Sequence, residues 1–191
     1  MSLALSDLSD GELATLGIAG RDAAFAEIMR RHREAVYRIA LANIADPDEA
    51  LDLTQETFVS AHLALRRYDG ARPMRAWLAA IALNKCRDWA RRRAVRRLFR
   101  FATPLDDVAG VVADQSPDPE RTAAGRQAMR RLARAVAALP ASLREPLVLH
   151  TIEGMSQAET AAVLSISEKA VETRLRRARI KLTEMLEADR A

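Results

Sequence analysis

The stretch EGMSQAETAAVLSISEKAVETRLRRARIK, residues 153–181, decides how this chain is read. Ser156 stands three residues ahead of Glu159. That is the spacing of a capping box, in which the serine oxygen accepts a backbone N–H and the glutamate reaches back. Ala161 is small enough to let a second helix cross close above it. Ile166 supplies an apolar plug for a tight turn, and Ser167 can cap a second helix ahead of Glu168. Val171 and Leu175, four residues apart, give that second helix a buried stripe. Lys169, Glu172, Thr173, Arg174, Arg176 and Arg177 then point outward, a polar and mostly cationic surface suited to a DNA major groove. The turn carries Ser165 where glycine is usual. A left-handed serine there costs a few tenths to about 1 kcal/mol. An ordinary helical hairpin with a solvated arginine face has the same periodicity. Two caps at this spacing favour the DNA-binding reading.

Around this motif the chain has 191 residues, enough for one domain or two small ones. Hydrophobic residues make up 49%, charged residues 29% and aromatics only 4%, a composition that favours helices over sheets. No apolar run is long enough to span a bilayer. Lys and Arg are absent before Arg21, so the start lacks the basic region of a signal peptide. The single cysteine, Cys86, excludes an internal disulfide framework and fits a reducing cytoplasm.

The formal net charge of +4 is unevenly spread. Residues 70–100 carry ten bases against one acid, and residues 125–191 carry twelve against eight. Between them, residues 101–124 carry one base and five acids. Two basic blocks separated by an acidic connector suit a polyanion touched in two places.

Helical periodicity runs through most of the chain. Asp22 is read as the cap of a helix reaching about Ile44, with Phe25, Ile28, Met29, Val36, Ile39 and Ala40 on its apolar side. Asp46-Pro47 ends that helix and starts another, which runs to about Arg67. A short loop, Tyr68 to Arg72, precedes a long helix opened by Pro73 and reaching about Leu98. From Phe101 to Pro119, three prolines, a glycine and four aspartates mark a polar linker. Helical pattern resumes near Thr122. The expected organisation is all-α: an N-terminal segment (1–20), a first domain (21–98), a flexible linker (99–122) and a second domain (123–188).

In the helix after Pro47, Asp48, Asp52 and Glu56 recur at four-residue steps. Three carboxylates on one face repel one another mildly, which is tolerable in water and useful against a basic protein surface. The long helix carries Met74, Trp77, Leu78 and Ile81 as its core stripe, with Asn84, Asp88, Arg91 and Arg92 on another side. Arg87, Arg91, Arg92, Arg93, Arg96, Arg97 and Arg100 extend it as a ladder able to track phosphates. An amide such as Asn84 can read base edges while arginines hold the backbone.

Taken together, these segments resemble the extracytoplasmic-function (ECF) sigma factors, the minimal two-domain class of bacterial RNA polymerase sigma subunits. The matching runs are FAEIMRRHREAVYRIA, DPDEALDLTQETFVSAH, MRAWLAAIALNKCRDWARRR and LPASLREPLVLHTIEGMSQAETAAVLSISEKAVETRLRRARIKL, in the family's order. The resemblance implies one sigma region 2-like and one region 4-like domain. It implies that Asp48, Asp52, Gln55 and Glu56 dock on the β′ coiled coil of core polymerase, with Leu51 standing where the family commonly has an acid. It implies a pocket at Tyr68, Asp69, Gly70, Arg72 and Arg75 that captures a flipped −10 base, with Asn84, Arg87, Asp88, Arg91 and Arg92 along the same DNA surface. A pocket that rewards extrusion of a base couples sequence reading to strand opening.

The second domain, by the same resemblance, reads the −35 element through Lys169, Glu172, Thr173, Arg174, Arg176 and Arg177, and meets the β flap. Ala170 and Glu172 replace the threonine and basic residue often seen, and a glutamate can accept from a cytosine amino group. The resemblance further implies promoter DNA and an anti-sigma factor as partners. A stand-alone dimeric helix–turn–helix regulator is the alternative, since the 153–181 motif alone also resembles response-regulator output domains. An enzyme is disfavoured: His32, His62 and His150 are isolated, Cys86 has no neighbour at ligand spacing, and no glycine-rich phosphate loop occurs. No catalytic residue, metal, cofactor, small-molecule substrate or membrane insertion is expected.

Overall fold

The computed structural model describes residues 4–100 and 119–189, and among them the only regular structure is helical. The α-helices are α1 (Asp10–Ile18), α2 (Asp22–Ile44), α3 (Pro47–Ala64), α4 (Met74–Arg100), α5 (Pro119–Ala138), α6 (Ala141–Leu147), α7 (Gln157–Leu164) and α8 (Glu168–Ala188). Helices α1–α4 pack as one bundle and α5–α8 as a second. The expected linker falls mostly on residues 101–118, outside the described residues.

Each boundary has a local cause. Asp46 caps α3, its carboxylate accepting from the Asp48 and Glu49 N–H groups, and Pro47 takes the first helical position. Ala45, left-handed at φ 58°, closes α2 just before it. Asp22 is not the cap of α2: Arg21 holds that position without a side-chain bond, and Asp22 lies in the first turn, where its charge favours the helix dipole. Met29, assigned to the apolar side of α2, is exposed, while Phe25, Ile28, Val36, Ile39 and Ala40 are buried as expected. The buried stripe of α4 is Met74, Leu78, Ala79, Ala82, Leu83, Cys86 and Trp89; Trp77 and Ile81 lie half-buried at its margin.

The N-terminal segment is tied down by one side chain. Arg31 of α2 donates to the Leu5 and Ser6 carbonyls and to the Asp10 and Glu27 carboxylates, at 2.9–3.1 Å. Arg30 and Arg31 together hold the Glu27 carboxyl down to about 2. Leu13 of α1, fully buried, carries the apolar part of the same attachment.

In the second bundle, Pro146 lies inside α6. One wide turn of i→i+5 bonding, Val148–Ile152, follows it and closes with Glu153 N–H donating to the Val148 carbonyl at 3.0 Å. Val148 and Leu149 are fully buried there, and Val171, Leu175 and Ala178 of α8 complete this core.

Cys86 packs among Ala40, Ala50, Leu53 and Trp89. Burial pushes its thiol up to about 12, which leaves almost no thiolate at neutral pH. Native protein at pH 8 is therefore expected to react with Ellman's reagent only at the rate of unfolding, and to release one equivalent at once in guanidinium.

Candidate nucleic-acid interface

On α3, Asp48, Asp52 and Gln55 are exposed, and Glu56 faces the Lys85 ammonium of α4 at 3.7 Å. The acidic row is therefore brought to one surface. Beside it runs a second row that the charge pattern did not announce: Leu51, Val59 and Leu63, all exposed and in step with Gln55. Sequence spacing could have found it, because 51, 55, 59 and 63 share one helical face.

The loop between α3 and α4 is internally braced. The Tyr68 hydroxyl donates to the Arg72 carbonyl at 2.6 Å, the Asp69 carboxylate accepts from Ala71 N–H at 3.0 Å, and Arg72 N–H donates to the Asp69 carbonyl at 2.9 Å. The Tyr68 ring lies 5.2 Å from that of Trp77, and partial burial pushes the pKa of its phenol above the ordinary value. Gly70 and Arg72 are exposed at the tip. Helix α1 supports this loop from behind: a Cβ at Gly17 would sit 2.9 Å from Leu65, and one at Gly11 would meet the Gly70 carbonyl at 3.7 Å.

Along α4 the cations divide into two groups. Arg91 pairs with Asp88, Arg92 is exposed, and Arg93 lies 5.1 Å from the Trp89 ring. The side chains of Arg97 and Arg100 lie outside the described residues. Arg75 and Arg87, by contrast, turn toward the second bundle. Arg75 donates to Glu159 at 2.6 Å; Arg87 grips Glu145 through two bonds of 2.8 and 2.5 Å and also donates to Asn84 at 3.1 Å. These carboxylate partners were missed in the sequence reading, which gave Glu159 a capping role only. Separations of 58 and 84 residues leave no local signal.

The helix–turn–helix forms as its caps dictate. Ser156 accepts from Glu159 N–H at 3.1 Å while Glu159 accepts from Ser156 N–H at 2.8 Å. Ser165 is left-handed at φ 54°, so the backbone cost attached to a non-glycine residue applies. Ile166 is half-buried in the turn, and Ser167 accepts from Ala170 N–H at 3.2 Å. Val171 and Leu175 are buried. Lys169, Glu172, Arg176 and Arg177 are exposed, and Thr173 and Arg174 half so. Lys169 and Glu172 pair with each other at 3.1 Å.

Among the described residues no cluster of His, Cys, Asp and Glu could hold a metal ion, and no helix is long and apolar enough to cross a membrane. His32 contacts Asp10 at 2.9 Å, His62 stands edge-on to Phe25, and His150 faces the Met155 carbonyl at 2.7 Å.

Residues 28–96 match the Sigma-70 region 2 family and residues 129–182 match Sigma-70, region 4. The RNA polymerase sigma factor CnrH of Cupriavidus metallidurans is 43% identical, the alignment covering 95% of this chain and 96% of CnrH. The ECF RNA polymerase sigma factor SigM of Mycobacterium tuberculosis is 33% identical over 93% of this chain and 85% of its own length. The chain belongs to the ECF sigma factors. As a sigma factor it directs RNA polymerase to promoters in transcription initiation. The solved structure of CnrH in complex with the cytosolic domain of CnrY superposes with a TM-score of 0.69 at 38% identity, covering 94% of this chain and 98% of that one. The sigma factor RpoE of Bartonella quintana, solved with the anti-sigma factor NepR, shares the fold at the same TM-score and 23% identity, over 86% and 98% of the two chains.

In this sigma factor the guanidinium of Arg75, then the Ser156 N–H, hold the Glu159 carboxyl below the ordinary glutamate value of 4.5. A depressed folded-state value means the stabilisation is full above the unfolded pKa and is lost as pH falls through the folded one. Thermal stability is expected to drop as acid is added below about pH 4.5, and Glu159→Gln to flatten that part of the melting-temperature curve.

Proposed function

We propose that the two bundles, residues 21–98 and 123–188, divide the work of promoter recognition. The observation that carries this reading is the presence of both sigma regions in one chain, aligned nearly end to end with named sigma factors. The acidic row of α3 docks on core polymerase: Asp48, Asp52 and Gln55 offer exposed acceptors, and the adjoining Leu51, Val59 and Leu63 add apolar area. The braced loop Tyr68–Arg75 receives an extruded −10 base, with Asn84, Asp88 and the α4 arginines holding the single strand. Helix α8 enters the −35 major groove, where Lys169, Thr173, Arg174, Arg176 and Arg177 meet phosphates and Glu172 meets a base edge.

The chain performs no catalysis of its own and works in the cytoplasm beside the polymerase. An anti-sigma factor regulates it, as the solved complexes of CnrH with CnrY and of RpoE with NepR suggest for a chain of this shape. Run-off transcription with core polymerase on genomic fragments tests the whole reading: start sites that depend on this chain are expected, and their absence would defeat it.

Two substitutions test its parts. Asp52→Arg, at an exposed position, is expected to lower core-polymerase affinity at least about tenfold in a co-purification titration while helix content stays unchanged. Arg176→Ala and Arg177→Ala are each expected to reduce the salt dependence of promoter binding by about one unit of slope if each touches a phosphate.

A further inference from the structure

Among the described residues, four polar contacts join the two bundles, each to helix α2 or α4. Arg87 of α4 holds Glu145 of α6 in a two-bond grip. Arg75 of α4 holds Glu159 of α7. Arg38 of α2 holds Glu153 with two bonds of 2.9 Å. Arg144, half-buried, donates to Asn43 of α2 at 3.0 Å while also binding the Ala137 and Leu139 carbonyls at the end of α5. In three of the four, the first bundle supplies the cation and the second the carboxylate.

We infer that this sigma factor latches itself shut, its second bundle acting as a carboxylate decoy for the arginines that hold single-stranded promoter DNA. The consequence for DNA rests on the functional reading above; the latch itself does not. Glu145 of α6, bonded to Arg87 of α4, is 6% exposed, and Glu159 lies against the start of the same helix α4. A phosphate chain following α4 past Arg75 and Arg87 would have to displace both carboxylates and the helices, α6 and α7, that carry them. Two like charges cannot share either guanidinium at this distance without repulsion.

The seam is built to part. Apolar side chains continue across it, with Leu78 and Ala79 of α4 and Met155 in the same buried cluster. Yet a cleft of about 220 Å³ remains between Val36, Ile39, Leu78 and Met155, with Arg38 and Glu153 in its wall. The cleft opens beside the Arg38–Glu153 pair, whose arginine is exposed. Polar contacts between domains of one chain part more readily than large apolar ones. Opening returns Glu145 and Glu153 to water, so neither is left buried without its partner.

The test uses the full chain in small-angle X-ray scattering, with circular dichroism to follow helix content. At 0.1 M NaCl the radius of gyration is expected near the ~16 Å of a compact chain of this length, and to rise as salt screens the pairs. Arg38→Glu, outside the DNA-contacting set, faces Glu153 with a like charge and is expected to expand the chain at low salt with unchanged helix content. The double substitution Arg38→Glu, Glu153→Arg restores the pair in reverse and is expected to restore the compact radius. Binding of a mixed-sequence 30-base single strand gives a second readout. If the closed form holds nine-tenths of the molecules, Arg38→Glu tightens binding about tenfold despite lowering the net positive charge. A wild-type chain already expanded at low salt, an unchanged radius in Arg38→Glu, or weaker binding in that variant would overturn the latch. None of these outcomes alters run-off transcription as the test of sigma activity.

Discussion

Two consecutive side chains of α6 tie both long helices of the first bundle to the second across the seam. Arg144 and Glu145 sit side by side in the last turn of α6 and reach in different directions, Arg144 to Asn43 on α2 and Glu145 to Arg87 on α4. Glu145 is buried and Arg144 half-buried, positions that ionic groups tolerate only when their hydrogen-bonding capacity is nearly filled. Arg144 meets this by also binding the carbonyls that end α5, so one residue closes a helix and joins two bundles. The placement of α7 against α4, and with it the pairing of Glu159 and Arg75, follows from this anchorage.

What could be read in the sequence was local. The capping box at Ser156 and Glu159, the cap at Ser167, the Asp46-Pro47 helix start and the Val171–Leu175 stripe all depend on residues within four positions of one another. The structure reproduces each. The left-handed turn at Ser165 was anticipated from the same spacing. Asp22 misled because aspartate suits both a cap and a first turn, and the backbone of Arg21 decided between them. Met29 misled because a helix of 23 residues carries more apolar side chains than its buried face can hold. The pairs between bundles were invisible for a different reason. Periodicity reports which face of a helix is apolar and says nothing of which distant carboxylate will meet a given arginine.

The basic block at residues 70–100 likewise reads differently in three dimensions. Ten bases against one acid suggested a bare phosphate track. In the folded chain several of these cations have partners: Lys85 with Glu56, Arg72 with Asp69, Arg91 with Asp88, and Arg75 and Arg87 with the second bundle. The pairs of Arg72 and Arg91 are exposed and local, worth little and easily exchanged for phosphate. The Arg87 pair is desolvated on its acid side and two-pronged, so it competes with DNA on more even terms. The electrostatic signature of a nucleic-acid site is thus also the signature of a site that an acidic element of the same chain can cover.

The recognition helix shows the same economy at smaller scale. Lys169 and Glu172 neutralise each other across one turn of α8 in the free chain. An exposed pair of this kind contributes little to stability, so its separation at a DNA surface costs little. On the proposed −35 role, a lysine drawn to a phosphate would leave the exposed glutamate an acceptor without its cation. A carboxylate there repels phosphate and guanine acceptors and tolerates only a donor such as the cytosine amino group. Under the proposed −35 role of α8, Glu172 would act by exclusion, narrowing the duplexes the helix accepts while the surrounding cations supply the affinity.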